Sequence, residues 1–187
     1  MDATITAPTL ITSAIALLTI TNPIGTLPIF VSLTKDATPA KQRRMAIMIG
    51  IAVIVVLAVS LAAGMFILGL FGIDMTAFKI AGNLLVASIG WAMLTAKSSP
   101  ITVAPGQSPV VVPLAIPVLA GPGAIALVIT FAHSYTTVLD WVAGAVTILV
   151  VGLIVGTVYF AGPTIAKLLK TTGMDILTRV FGLLLLS

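Results

Sequence analysis

The sequence predicts an all-α polytopic membrane protein: six transmembrane helices arranged as two inverted three-helix repeats, with helices one and four broken and helix six truncated. Three observations carry this expectation. First, 59% of the 187 residues are hydrophobic and only 7% are charged, against about 25% in a soluble domain. Second, six apolar stretches can be drawn, of which five reach the roughly 20 residues that cross about 30 Å of hydrocarbon and the sixth begins near Asp175, short of that length. Third, similar Gly, Pro, Asp and basic positions recur about 100 residues apart.

The composition also excludes functions. There is too little charge to clothe a water-facing surface, so a soluble enzyme is excluded. With no Cys, one His and no Glu, a protein-only zinc or di-iron site is not expected, and the cofactor expectation is none. The net charge of +4 comes from nine basic residues spread along the chain. They form no stripe and carry no stacking aromatics between them, so nucleic acid is not an expected partner.

The segments follow in order. Residues 7–34 are apolar but interrupted; Asp2 is the sole earlier charge, which does not fit a signal peptide. Residues 45–71 contain no charge, and residues 75–96 form the third segment. Residues 110–133 are rich in Pro and Gly, residues 141–162 are the fifth segment, and the sixth starts near Asp175 and is still apolar at Ser187. The connection at 35–44 is the most polar, and Pro39 suits an early helical position. Residues 98–109 read as a Ser/Pro/Gly linker between halves 1–97 and 110–187, while 133–140 and 166–173 read as tight connections.

Charge placement sets the expected orientation. Lys35, Lys41, Arg43, Arg44, Lys97, Lys167 and Lys170 fall on one side of a six-span chain. The other side holds only Asp2, Asp74 and Asp140 outside the segments. Basic loops stay cytoplasmic, which places the N-terminus outside and the first, third and fifth loops in the cytoplasm.

The repeat is read from Gly72-x-Asp74, Lys79 and Gly82 against Gly173-x-Asp175, Arg179 and Gly182. At a similar offset Pro23 faces Pro122. Three helices per half is an odd number, so the second half is inverted, as in many secondary transporters.

The candidate site follows from the breaks. Asn22, Pro23, Gly25, Thr26 and Pro28 interrupt the first segment; Pro113, Pro117, Gly121, Pro122 and Gly123 interrupt the fourth. Proline has no N–H and clashes with the preceding turn. Broken backbone in hydrocarbon is tolerated only where protein or a wet cavity satisfies it. Paired breaks near the midplane offer N–H groups to a carboxylate and carbonyls to an ammonium. Asn22 either caps a half-helix or contacts the solute. Asn83, within the third segment, either joins helices or faces a pathway. Substrate contacts are therefore expected at Asn22, Pro23, Gly25, Thr26, Asn83, Gly121 and Gly123. Lys79 and Arg179 read as snorkelling side chains, with a gate pair as the alternative. Asp74 and Asp175 read as helix caps, and Trp91, Trp141 and Tyr159 as interfacial anchors or packing residues. Gly152 and Gly156 form a small-xxx-small pair, serving either internal packing or a homo-oligomer face.

The motifs Asn22-Pro23-Ile24-Gly25, Ile80-Ala81-Gly82, Val112-Pro113-Leu114-Ala115-Ile116-Pro117, Ala120-Gly121-Pro122-Gly123-Ala124-Ile125 and Thr178-Arg179-Val180-Phe181-Gly182 resemble those of the MarC family of prokaryotic inner-membrane proteins. The resemblance covers nearly the whole chain. It implies six spans and, from an archaeal relative, transport of small neutral amino acids such as glycine or alanine. No catalytic residue is implied. The expected function is secondary transport of a small neutral solute within membrane lipid, with the coupling ion, Na⁺ or H⁺, open. The alternative is a non-transporting structural or regulatory membrane protein.

Overall fold

A computed structural model describes residues 7–95 and 119–186. Their secondary structure is helical, in six elements: α1 (Ala7–Thr21), α2 (Leu27–Thr34), α3 (Pro39–Leu70), α4 (Met75–Thr95), α5 (Pro122–Ser134) and α6 (Val138–Leu186). Three of them, α3, α4 and α6, are long and apolar enough to cross a membrane. The 32 residues of α3 span about 48 Å at 1.5 Å per residue. The 98–109 linker, Lys97, Pro113 and Pro117 lie outside the described residues.

Local chemistry explains where the helices start and stop. The break expected in the first segment separates α1 from α2. Pro28 stands in the first turn of α2, where a missing N–H loses nothing. Thr38 caps α3 by accepting the Lys41 N–H at 3.3 Å, and Pro39 is its first residue. The helix ends at Leu70, and just past its cap Phe71 stands Gly72, whose φ of +64° suits the left-handed residue that closes a helix. Asp74 then caps α4, its Oδ1 accepting from Thr76 N at 2.9 Å and Ala77 N at 3.0 Å. The N–H groups of Ala77 and Thr76 hold this carboxyl below its ordinary pKa. A reciprocal cap opens α6: Thr137 Oγ1 accepts from Asp140 N at 3.2 Å, and Asp140 Oδ2 accepts from Thr137 N at 2.8 Å.

One boundary differs from expectation. The connection expected at 166–173 is helical on both sides of a single non-helical residue, Lys170, with φ 55° and ψ −173°. One residue outside helical geometry is enough to redirect the chain. The final arm therefore covers 171–186, and Asp175 lies inside it instead of capping it. Lys170 occupies a region that is almost exclusive to glycine and costs on the order of 1–3 kcal/mol.

The core lies where α2 and α3 pack on α6 and α5 packs on α3, around the fully buried Phe30, Ile49, Leu57, Val128 and Tyr159. The exterior is apolar too: Phe66, Leu70, Phe71 and Leu168 are among many large exposed hydrophobics. An apolar core inside an apolar skin is what a bilayer solvent demands. Small residues set the crossings. A Cβ on Gly50 of α3 would come 2.9 Å from Gly152 O and 3.1 Å from Gly156 Cα. The small-xxx-small pair thus serves packing within the chain. On α4, Gly90 meets Gly182 of the last arm in the same way, at 2.9 Å from its carbonyl oxygen.

Candidate functional site

The first break is closed by side chains. Asn22 ends α1 with φ 44°, a left-handed conformation that Asn tolerates better than most residues. Pro23 has no N–H, so it cannot donate to the Thr19 carbonyl one turn back. Asn22 Oδ1 accepts the Gly25 N–H at 3.0 Å, and its C=O accepts the Thr26 N–H at 3.1 Å. Asn22 therefore caps the turn at 22–26, and the next helix starts only at Leu27. The Thr26 hydroxyl donates to the same carbonyl at 2.8 Å and lies 2.8 Å from Tyr159 Oη. Its one proton is committed to Asn22, so Tyr159 is the donor in the second contact. Tyr159 is fully buried and stacks on Phe30 with ring centroids 4.8 Å apart.

Among the described residues, one buried side-chain polar atom at this break has no partner. Asn22 is 3% exposed, and its Nδ2 makes no hydrogen bond. Leaving such a donor unsatisfied costs about 1–3 kcal/mol. A buried amide with two idle N–H bonds is a group that a ligand can satisfy.

The second break is made of backbone. Gly121 is the N-cap of α5 and offers no side-chain acceptor, while Pro122 fills the first helical position. Ile125 N bonds Gly121 O at 2.9 Å. The N–H groups of Gly123 and Ala124 belong to the first turn, where no intrahelical acceptor exists. Both residues are buried.

The fold brings the two breaks together. A Cβ on Gly123 would lie 3.4 Å from Ile20 Cγ2, two residues before Asn22, and 2.6 Å from Val86 Cγ2 of α4. A Cβ on Gly82 would lie 3.1 Å from Pro122 O and 3.3 Å from Gly123 N. At the first break, Gly25 is pressed against Phe181 of the last arm and against the Asn22 amide. Each break is thus docked on a helix that carries a glycine or its neighbour: α4 at Gly82 for the second, the last arm at Phe181 for the first.

Of the expected contacts, Asn22, Pro23, Gly25, Thr26, Gly121 and Gly123 are all buried around these two breaks. Asn83 does not join them: it is exposed on α4, beside the buried Gly82. Thr19 is exposed and bonds its own helix at Ile15 O. Lys79 is half-buried and Arg179 exposed. Trp91 is 64% exposed, whereas Trp141 packs edge-on to Tyr135 at 5.7 Å. Tyr159 and Phe30 are the members that the sequence did not single out as site residues. A hydroxyl-bearing aromatic in an uncharged helix was the available signal, but nothing local paired it with Thr26, 133 residues away.

The chain matches the model of a family described as MarC family integral membrane protein over residues 7–187. It is 33% identical over 181 residues to the UPF0056 membrane protein YhcE of Escherichia coli K12, covering 92% of this chain and 84% of that protein. A UPF0056 membrane protein of Pyrococcus abyssi is 33% identical over 177 residues, covering 92% and 86%. The UPF0056 inner membrane protein MarC of Escherichia coli O1:K1 is 30% identical over 190 residues, covering 91% and 86%. No solved structure matches. The apolar helices agree with these likenesses, and the chain belongs to the MarC family of integral membrane proteins.

Proposed function

We propose that this protein is a secondary transporter of a small neutral solute, with zwitterionic amino acids such as glycine or alanine as the substrate class. The observation that carries the reading is the meeting of two helix breaks where an idle Asn22 Nδ2 and the uncapped start of α5 are both buried. The N–H groups of Gly123 and Ala124, reinforced by the α5 dipole, suit a carboxylate. Carbonyls deprived of donors near Pro23 suit an ammonium, and Asn22 Nδ2 adds a donor that discriminates orientation. Neither break contains a charged side chain, which favours a net-neutral solute.

The reading includes six spans in two inverted halves, 1–97 and 110–187, with the N-terminus outside and the basic loops cytoplasmic. The reciprocal docking supports it: Gly82 sits on the second break and Phe181 on the first, with the same spacing that separates Pro23 from Pro122. Rocking one half against the other would open the breaks to alternate sides. No chemical step is involved, and nucleic acid has no place in it. The test is uptake of labelled glycine and alanine into proteoliposomes, with and without Na⁺ and pH gradients. Saturable flux above that of empty liposomes is expected; no flux from correctly folded protein contradicts the reading.

A further inference from the structure

A second site lies away from the breaks, at the basic end of the α3–α6 crossing. Lys35, Arg43 and Lys167 come from the α2–α3 connection, α3 and α6, and all three line one open cavity of about 490 Å³. Among the described residues, no acidic side chain lines it. Arg43 lies over the Phe160 ring, 5.1 Å from its centroid, and none of the three cations makes an ion pair among the described residues. Gln42 also lines the cavity, but its Nε2 is committed to Thr34 O at 2.8 Å.

Phe160 has a second neighbour. It also closes one end of an apolar groove of about 250 Å³. One wall of the groove is Ile47, Ile51 and Ile54 of α3; the other is Leu153 and Thr157 of α6. The floor is the close crossing of Gly50, Gly152 and Gly156, where the two helix backbones meet too tightly for side chains and the flanking residues rise on either side. Arg43, Ile47, Gly50 and Ile54 succeed one another along one stripe of α3. The groove therefore leads from the cationic cavity into the hydrocarbon, over about 16 Å from Arg43 to Ile54 at 1.5 Å per residue. That is about half the 30 Å core of a bilayer, the depth of one leaflet.

A cavity with three cations that make no ion pair among the described residues, sharing Phe160 with an apolar groove so that the two together reach about one leaflet deep, matches one molecule. We infer that this is a binding site for an anionic phospholipid, its phosphate held by Lys35, Arg43 and Lys167 and one acyl chain laid in the groove over Gly50, Gly152 and Gly156. A free phosphate would use the cavity and leave the groove empty. A second copy of the chain would use the groove and meet its own cations at the mouth. The inference does not depend on the transport reading.

The test uses the full chain purified in a neutral detergent. Dioleoyl phosphatidylglycerol, dioleoyl phosphatidylcholine and glycerol phosphate are each titrated, read by native mass spectrometry and by melting temperature. Phosphatidylglycerol is expected to bind one to one and raise the melting temperature, while the other two do neither. R43Q/K167Q should weaken phosphatidylglycerol about thirtyfold, from the roughly 1 kcal/mol per basic residue of surface attraction. K35Q, at an exposed loop position where folding is not at stake, should weaken it about fivefold on the same scale. Thr157→Trp fills the groove, leaves every charge in place and should also release the lipid. Equal binding of the two lipids overturns the inference, as does unchanged affinity in K35Q or in Thr157→Trp. Glycerol phosphate as effective as phosphatidylglycerol assigns the cavity to a soluble anion. A dimer lost on Thr157→Trp assigns the groove to a second copy. Either of those results also overturns it.

Discussion

At the break between α1 and α2, side chains close the gap; at the start of α5, the described residues Gly121, Pro122 and Gly123 offer backbone alone. Asn22, Thr26 and Tyr159 form a chain of hydrogen bonds across the first. Gly121, Pro122 and Gly123 contribute no side-chain polar atom to the second. The difference shows two ways to interrupt a helix inside an apolar molecule. One places a polar side chain to replace each missing backbone partner, and leaves the Asn22 amide with donors to spare. The other buries a helix start against a neighbouring glycine and leaves the N–H groups themselves. An amide and a helix dipole are complementary tools for a neutral molecule with charged ends.

The largest expected stability effect tests how each break is packed. Gly25→Ala drives a methyl into the Asn22 amide, at 2.5 Å from Nδ2, and into Phe181. Overpacking of this kind costs about 1–3 kcal/mol, and the upper end is expected here because the clash reaches two elements. Gly82→Ala meets Pro122 backbone at 3.1 Å, needs a shift of a few tenths of an ångström, and should cost about 1 kcal/mol. Chemical unfolding in detergent compares the pair; equal costs would remove the distinction drawn between the breaks.

A smaller effect tests the hydrogen-bond chain at the first break. Tyr159→Phe keeps the stack on Phe30 but removes the donor to Thr26, for a loss of about 0.5–1.5 kcal/mol. The same unfolding assay should find Thr26→Val, which breaks the same contact, not additive with it. The smallest effect is a control outside both breaks. The Asp74 carboxyl is held below its ordinary value by N–H groups that it caps. Its contribution is therefore complete above the unfolded pKa of 3.8 and is lost as pH falls through the lower folded value. Asp74→Asn, which cannot ionise, should flatten the acid side of the melting profile slightly and leave both breaks untouched.

Much of the fold was legible because it follows from composition and punctuation. Apolar runs located α3, α4 and the first arm of α6, and Pro23 and Pro122 marked both interruptions. The cap role of Asp74 followed from its place before an apolar run. Other features depend on contacts that no local pattern encodes. The turn was expected within 166–173, but its contraction to the single residue Lys170 was not, because Lys in a glycine-like conformation has no sequence signal, whereas Gly173 nearby does. Asn83 looked like Asn22 on paper, yet the helical phase that buries Gly82 turns its neighbour outward. The Thr26–Tyr159 contact joins residues far apart in the chain, and only the packing of α2 on α6 creates it. The six-span inverted repeat stays a proposal, with its linker at 98–109 outside the described residues.

Asn22→Gly is the variant that bears most directly on the central claim that the Asn22 amide serves a solute. Glycine adopts φ 44° freely, so the turn survives while the amide is removed. Stability should change by no more than about 1 kcal/mol, because the lost bond to Gly25 is offset by removing an unsatisfied donor. Glycine flux into proteoliposomes containing this variant should fall at least about tenfold, the equivalent of one hydrogen bond of about 1.4 kcal/mol. Unchanged flux in a variant that folds as well as the parent would contradict the account.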